Sequence, residues 1–552
     1  MENFKPMLFT CMKNYSKEQL VKDVVSGIIV AIIALPLSIA LALASGVGPE
    51  QGLYTAIVAG FLISFFGGST VQIAGPTAAF ATIVAGIVAT DGTDGLAVAT
   101  IMAGIILIIL GACRAGVLIK FIPYTITTGF TAGIAVTILI GQFKDFFGVT
   151  YMNGEKPIET MDKLKAFFGN ISTLNWQAAL VGVVCLAVLI VWPKVSAKIP
   201  GSIVAILVGI LMVKGIGLKV NTIGDLYTLS NSLPSFNLPS LSWNLVQGEM
   251  RNAFTIAILA AIESLLSAVV ADGMVGGRHR SNQELIAQGI GNMGSALFGG
   301  IPATGAIART AANIKNGGRT PIAGMVHAIT LVAILVILMP YAALIPMPTI
   351  AAILFQVAYN MCQWKPFTAL VKNAPKSDII VLVMTFLLTV IFDLVVAIEW
   401  GMIVACILFI KRMSEETYIT GWTYMDEEGD AVDQGIRPLA KEIRVYEITG
   451  PLFFGVSDLL SNKVSVKDFT KVLVIRMRSV PAVDVTALKG LMELVQRCKE
   501  AGVTVVLSHV NEQPRKMMEK AGFVDIVGQE NFAENIDAAI QRAEAIVAEL
   551  EK

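Results

Sequence analysis

A helix that crosses a bilayer needs about 20 consecutive, mostly apolar residues, and residues 24–411 of this chain are built from little else. The stretches run at 24–44, 51–68, 95–112, 124–142, 176–192, 201–217, 250–271, 283–300, 322–340, 348–361, 378–397 and 399–411. Two further segments, 76–89 and 304–314, are too short to cross alone. Together they make fourteen. A chain patterned this way folds in lipid.

Composition agrees and adds a boundary. Hydrophobic residues make up 55% of the 552 and charged residues 15%, against about 25% charge in a soluble chain. Half of the charge (41 of 82 Lys, Arg, Asp and Glu) falls in residues 411–552. The expected organisation is a short N-terminal segment at 1–23, a transmembrane domain at 24–412, a linker at 413–434 and a soluble α/β domain at 435–552. This excludes a disordered chain, a secreted disulfide scaffold and a soluble enzyme. The tail holds 18 basic and 23 acidic residues and no long basic run, which gives no case for nucleic acid. The six cysteines are scattered without CxxC spacing or His neighbours. They read as small apolar fillers, with no metal site and no disulfide.

Orientation follows from the positive-inside rule. With the N-terminus inside, inner connections carry Arg114, Lys120, Lys194, Lys198, Arg278, Arg280, Lys315, Arg319, Lys365, Lys372 and Lys376. Outer ones carry Glu50, Asp91, Asp94 and Asp145. An even number of spans then leaves both ends in the cytoplasm. Met1–Asp23 is mixed in charge and precedes an apolar stretch too long for a signal peptide, so it reads as retained.

The two short segments carry the functional argument. One reads Gln72-Ile-Ala-Gly-Pro-Thr-Ala-Ala-Phe-Ala-Thr, the other Gly300-Ile-Pro-Ala-Thr-Gly-Ala-Ile-Ala-Arg-Thr. Each has an extended Gly/Pro lead followed by small helical residues. The same sequence offset separates the two segments and the spans that start near Val24 and Asn252. That suggests a duplicated unit of seven spans, inserted in opposite orientations. Paired interrupted segments in corresponding halves point to a transporter's binding site. Non-helical backbone at membrane depth is tolerated only inside protein or along a cavity.

Their physics favours an anion. A half-helix starting at mid-membrane aims unpaired N–H groups and a partial positive charge at the site. Thr77 and Thr304 are expected at the two starts as hydroxyl donors. Arg309 adds a full positive charge, or alternatively snorkels to the inner surface. Glu263 sits mid-way along an apolar span, where a carboxylate costs about 2.5–3.5 kcal/mol and is a functional candidate by default. Ser267 lies one turn on. Burial favours the protonated acid and a neighbouring Arg309 the charged one, which suits a coupling site for a proton. Asp393 and Glu399 flank a short outer turn and read as interfacial.

The tail reads as strands at Ile443–Ile448, Leu452–Val456, Val472–Met477 and Val503–Leu507. These alternate with helices at 485–501, 512–521 and 531–549, and Asp484 is placed to cap the first helix. It contains no hydrolase or nucleotide motif.

These residues resemble the sulfate permease (SulP) group of anion transporters, related to mammalian solute carrier family 26. The matching stretches are Gly27-Ile-Ile-Val-Ala-Ile-Ile-Ala-Leu-Pro-Leu-Ser-Ile-Ala, Ile73-Ala-Gly-Pro-Thr, Ile262-Glu-Ser-Leu-Leu-Ser and Ile301-Pro-Ala-Thr-Gly-Ala-Ile-Ala-Arg-Thr. The tail is similar to that group's STAS domain. The resemblance implies an all-α polytopic membrane domain of 14 spans, as a 7+7 inverted repeat with two half-helices, plus a small cytoplasmic α/β STAS domain. It also implies a homodimer in a bacterial cytoplasmic (inner) membrane. The anion site falls at Thr77 and Ala303–Ala308 with Arg309, and the coupling acid at Glu263. Sodium-coupled bicarbonate members carry Asp there with a hydroxyl four residues on; here the acid is Glu, with Ser267 following. Thr486 matches a position phosphorylated in related anti-sigma antagonists, but its motif departs from their usual Asp-Ser form.

The resulting expectation is a proton-coupled symporter of sulfate, bicarbonate or a C4-dicarboxylate, working by an elevator-like exchange of access. No cofactor is needed beyond the coupling H+ or Na+. The STAS domain offers a docking surface for a cytoplasmic protein. A sodium-coupled bicarbonate symporter or an exchanger is the alternative. A nucleobase permease, an anion channel and a membrane-anchored signalling platform remain behind it.

Overall fold

The computed structural model describes residues 4–117, 122–152, 157–196, 199–240, 242–392, 394–422, 439–456, 464 and 470–550. Lys120, Lys198, Asp393 and most of the expected linker lie outside the described residues. The chain divides into two compact units, Met1–Met402 and Ile403–Lys552.

Each of the fourteen apolar segments falls on helix, although the one at 378–397 straddles the break between the helices Lys376–Ile391 and Leu394–Glu415. The first half contributes α1 (Lys17–Ala44), α2 (Pro49–Phe66), the two-residue strand β1 (Ala74–Gly75), α3 (Ala81–Ala112), α4 (Tyr124–Gly141), α5 (Trp176–Val195) and α6 (Gly201–Ile210). The second half contributes α7 (Trp243–Val275), α8 (Ser281–Leu297), the strand β2 (Thr304–Gly305), α9 (Ile307–Lys315), α10 (Ile322–Ala342), α11 (Met347–Met361), α12 (Trp364–Asn373), α13 (Lys376–Ile391) and α14 (Leu394–Glu415). Among the described residues, six helical segments are both long and apolar enough to span a membrane by length and composition.

One expected boundary moved. The segments at 76–89 and 95–112 are nearly continuous, separated only by a kink at Gly92, whose φ of 68° is open to glycine. α12 was missed: it has an apolar face but falls between two spans and carries Lys365 and Lys372. Large apolar side chains lie on the outside of this unit, among them Trp243, Ile216, Ile190 and Ile337. Its interior, by contrast, holds many polar side chains, including Asp23, Glu284, Asn292, Arg309, Asn313 and His327. A layer of lipid-facing residues around a polar centre is how a chain builds a site inside a membrane.

The second unit has the opposite arrangement. A five-stranded sheet runs in the order β3 (Tyr418–Trp422), β4 (Ile443–Thr449), β5 (Val472–Ser479), β6 (Thr504–Ser508) and β7 (Phe532–Ala533). β3 is antiparallel to β4 and the others are parallel. Alternate residues of β5 serve the two faces, as a period of two requires. Leu473, Ile475 and Met477 pack on one side with α15 (Val485–Glu500), α16 (Glu512–Lys520) and Phe523. Val472 and Val474 pack on the other with α17 (Ile536–Leu550).

Two expectations fail here. Leu452–Val456 is no strand: it makes one bridge, Leu452 to Val483, and then a single 3-10 turn. Its backbone is taken up by the start of α15, where Asp484 accepts from the Phe454 N–H at 2.9 Å and donates its own N–H to Leu452. β3 lies in the stretch set aside as linker, so the sheet begins before residue 435.

Candidate functional site

At the centre of the first unit the two extended leads meet. β1 and β2 pair antiparallel, with Ala74 opposite Gly305 and Gly75 opposite Thr304. The Ala306 N–H extends the pairing to the Ile73 carbonyl at 2.9 Å. Two glycines leave room for the side chains packed on either side. A Cβ on Gly75 would collide with Arg309 Nη1, and one on Gly305 with the Gln72 amide.

Beyond the pairing each chain turns into a helix. Thr77, in extended geometry, precedes the 3-10 turn Ala78–Phe80 that opens α3. Ala306 is the N-cap of α9, with no side-chain cap. The first N–H groups of α9, at Ile307 and Ala308, therefore have no intrahelical acceptor. In an otherwise buried centre Thr77, Glu263 and Ala306 are partly exposed, and Ile307 and Ala308 are exposed.

Arg309 lies immediately behind this surface. Its side chain is 1% exposed, so it does not snorkel. Nη2 donates to the Pro76 carbonyl at 3.2 Å and to Ser38 Oγ at 3.3 Å, while Nε and Nη1 are buried without a protein partner. Among the described ion pairs none involves Arg309. An unpaired buried charge is costly in a low dielectric. This one sits beside two helix starts whose partial charges have the same sign.

Glu263, on α7, meets the first helix start directly. The Thr77 hydroxyl donates to its Oε2 at 3.0 Å. Ser267, a turn later, is buried with its Oγ unpartnered. The expected Glu263–Arg309 pair does not form within salt-bridge distance. Thr77 holds the acid on one side of the leads, while the guanidinium is drawn behind β1 to Pro76.

Four expected anion contacts are already committed elsewhere. Thr304 Oγ1 is fully buried and donates to the Ala260 carbonyl at 3.1 Å, fastening β2 to α7. Thr304 is also two residues short of the N-cap, which is Ala306. Ala303 has its N–H bonded to Asn292 Oδ1 and its carbonyl to Asn292 Nδ2. Gly305 belongs to the β1–β2 pair. Ala306 is partly exposed, but its N–H is held by the Ile73 carbonyl. The accessible set thus narrows to Thr77, Ile307, Ala308 and Glu263, with Arg309 behind them.

Other residues that build the site were passed over in the sequence. Thr310 Oγ1 accepts from the Ile73 N–H at 3.0 Å, and Asn313 donates to the Val71 carbonyl at 2.8 Å. Glu284, Gln288 and Asn292 are buried along α8, at a four-residue spacing that marks one helix face. His327 is fully buried with neither ring nitrogen partnered. Each is a polar residue inside an apolar segment, which was the signal available.

Known proteins agree with this architecture. The sulfate permease family model matches residues 20–385, and a STAS domain model matches residues 438–539. A putative sulfate transporter of Bacillus subtilis, YvdB, is 39% identical over 95% of this chain and 98% of its own. The bicarbonate transporter BicA of a Picosynechococcus strain is 31% identical over 90% of each chain. The solved transmembrane domain of a cyanobacterial BicA, 28% identical, superposes with a TM-score of 0.62 over 71% of this chain and 98% of its own. At 18% identity, murine Solute Carrier 26 family member A9 shares the fold with a TM-score of 0.86, over 98% of this chain and 94% of its own. With a match over most of its membrane unit and a STAS match in the tail, the chain belongs to the sulfate permease family, a family of membrane transporters rather than enzymes.

Proposed function

We propose that this protein is a secondary active transporter of a small oxyanion of the sulfate or bicarbonate class. The observation that carries the reading is Arg309: a buried guanidinium without a carboxylate partner, behind two helix starts that present free N–H groups. Three sources of positive potential converge beside a single carboxylate, Glu263, and among the described residues no ion pair reaches Arg309, so a small anion supplies the missing charge. The names of the relatives, a putative sulfate transporter and a bicarbonate transporter, point to the same substrate classes.

Glu263 couples that anion to a proton. The link runs through Thr77, whose single O–H is donated to Glu263. An anion that takes this hydroxyl leaves the carboxylate an unmet acceptor beside a second negative charge. A proton arriving on Glu263 removes the repulsion, so anion and proton enter together. By linkage each ligand then favours the other to the same degree. The antiparallel leads and the common offset support fourteen crossings in two inverted sevens. Both ends would then lie in the cytoplasm of a bacterial inner membrane, with access exchanged by an elevator-like motion of the site. The homodimer implied by the resemblance belongs to the same reading.

A second reading replaces the proton with sodium. It rests on Ser267, whose buried, unpartnered oxygen lies one turn from Glu263. The deciding experiment is uptake of labelled sulfate and bicarbonate into proteoliposomes under an imposed proton or sodium gradient. Proton coupling predicts accumulation driven by pH alone, lost in Glu263→Gln while anion binding persists. Accumulation driven by pH in Glu263→Gln would rule out the role given to Glu263. Accumulation by sodium alone, lost in Ser267→Ala, would favour the second reading.

A further inference from the structure

The β1–β2 pairing that sets the two helix starts against each other is only two residues long on each side. That is shorter than the strands that ordinarily hold a register, and a slip of one residue would turn every side chain to the opposite face. Something else must fix the leads.

One helix face touches both. Glu284, Gln288, Asn292 and Ser295 are spaced by four, four and three residues, which places them in one stripe along α8. Glu284 receives four donors: Oε2 accepts from the Gly68 and Ser69 N–H groups at 2.8 and 3.1 Å, and Oε1 from the Gln72 and Gln288 amides at 3.0 and 2.8 Å. That is about the full acceptor capacity of a carboxylate, and three of the four donors belong to the first lead.

Two turns along, Asn292 holds the second lead. Its Oδ1 accepts from the Ala303 N–H at 2.8 Å and its Nδ2 donates to the Ala303 carbonyl at 2.9 Å, as a neighbouring strand would. The same Nδ2 donates to the Gln288 carbonyl at 2.8 Å, tying the amide back to its helix. Ser295 Oγ closes the stripe by donating to the Ile301 carbonyl at 2.7 Å. From Glu284 to Ser295 the helix rises about 16 Å, enough to reach both leads from one rigid element.

We propose that this stripe on α8 is the positioning and size-selecting element of the anion site. By anchoring residues 68–72 at one point and residues 301–303 at another, α8 sets the distance between the N–H groups after Thr77 and those after Ala306. That distance is what a bound oxyanion spans, so the stripe discriminates between a small planar anion and a larger tetrahedral one. The inference rests on the anion-site reading, and none of the stripe residues touches the anion.

The test uses the full chain in lipid nanodiscs and proteoliposomes with two isosteric variants. Glu284→Gln exchanges one acceptor oxygen for a donor amide, and Asn292→Asp removes the donor to Ala303 and Gln288. Each is expected to weaken sulfate binding about tenfold, the scale of losing one buried hydrogen bond that holds a lead in place. Each should also change the ratio of sulfate to bicarbonate affinity. The double variant should lose less than the product of the two single losses, because both act on one distance. Hydrogen exchange supplies a readout independent of anion binding: Glu284→Gln should speed exchange in residues 301–306, which Glu284 does not contact, as well as in residues 68–75. If a variant fails to fold, Gln288→Met, which removes one donor to Glu284, takes its place.

An unchanged sulfate-to-bicarbonate ratio with strictly multiplicative losses would overturn the proposal. Faster exchange confined to residues 68–75 would overturn it as well. Failure of the anion-site reading has a different signature, since Arg309→Ala would then leave sulfate binding intact while the exchange result still stood.

Discussion

The two units of this protein solve opposite problems. Among the described residues of 439–550 the interior is mainly apolar, with Leu473, Ile475, Leu491 and Phe523 all fully buried, and the buried polar side chains are few and uncharged: Thr470, Ser508 and Asn531. In residues 4–402 the exterior carries Trp243, Ile216 and Ile337, while Arg309, Asn292, Asn313 and His327 are inside. In the first case water drives collapse and the core needs only shape. In the second, lipid accepts apolar side chains as readily as a protein interior does, so packing specificity comes from polar contacts and small residues. The function therefore lies where the interior is polar.

Substitutions in each unit can break or sharpen that contrast. The largest expected effect is on the soluble unit. Phe523→Ala removes a fully buried ring from the α/β core and is expected to cost about 3–5 kcal/mol. Hydrogen exchange in residues 439–550 should rise while sulfate binding by the membrane unit is retained. Complete loss of binding in a chain whose membrane unit still resists exchange would mean that the two units share the transport step.

Next in size is Arg309→Ala, expected to weaken sulfate binding about ten- to a hundredfold, or ~1.4–2.7 kcal/mol. Arg309→Lys should recover part of the loss by restoring the charge without the fork. Equal affinity in wild type and Arg309→Ala, measured by titration in nanodiscs, would mean that the buried charge is structural and the contrast between the two interiors carries no function. The smallest effect belongs to Asp484→Ala. Asp484 accepts from the Ala487 N–H at 2.8 Å at the start of α15 as well as from Phe454, and its loss is expected to cost about 1 kcal/mol in thermal unfolding of the soluble unit. A change in transport in this variant without a change in stability would show that the cap has a further role.

Much of the architecture was legible because it depends on local quantities. Helices follow from runs of apolar residues, and the strands at Ile443–Thr449 and Val472–Ser479 follow from β-branched alternation. The apolar run at Leu452–Val456 misled for the same reason: it follows Pro451 and contains Gly455, and its hydrogen bonds went to a helix start. β3 is short, contains Gly421 and follows directly on the last apolar segment, and it pairs with a strand more than twenty residues away.

The sequence by itself determined that this chain lives in a membrane, that two short Gly/Pro-led segments interrupt it, and that Glu263 lies mid-way along an apolar span, while it left open whether Arg309 faces the site or the inner surface. These are properties of composition and spacing along the chain. Only the tertiary structure decided which groups meet. Thr77 reaches Glu263 from 186 positions away, Arg309 settles against Pro76 and Ser38 instead of the acid, and Thr304 is spent on a carbonyl of α7. A buried donor bonds to whichever acceptor the packing brings within about 3 Å, and that choice is made by helices crossing in space, which spacing along a single chain does not encode.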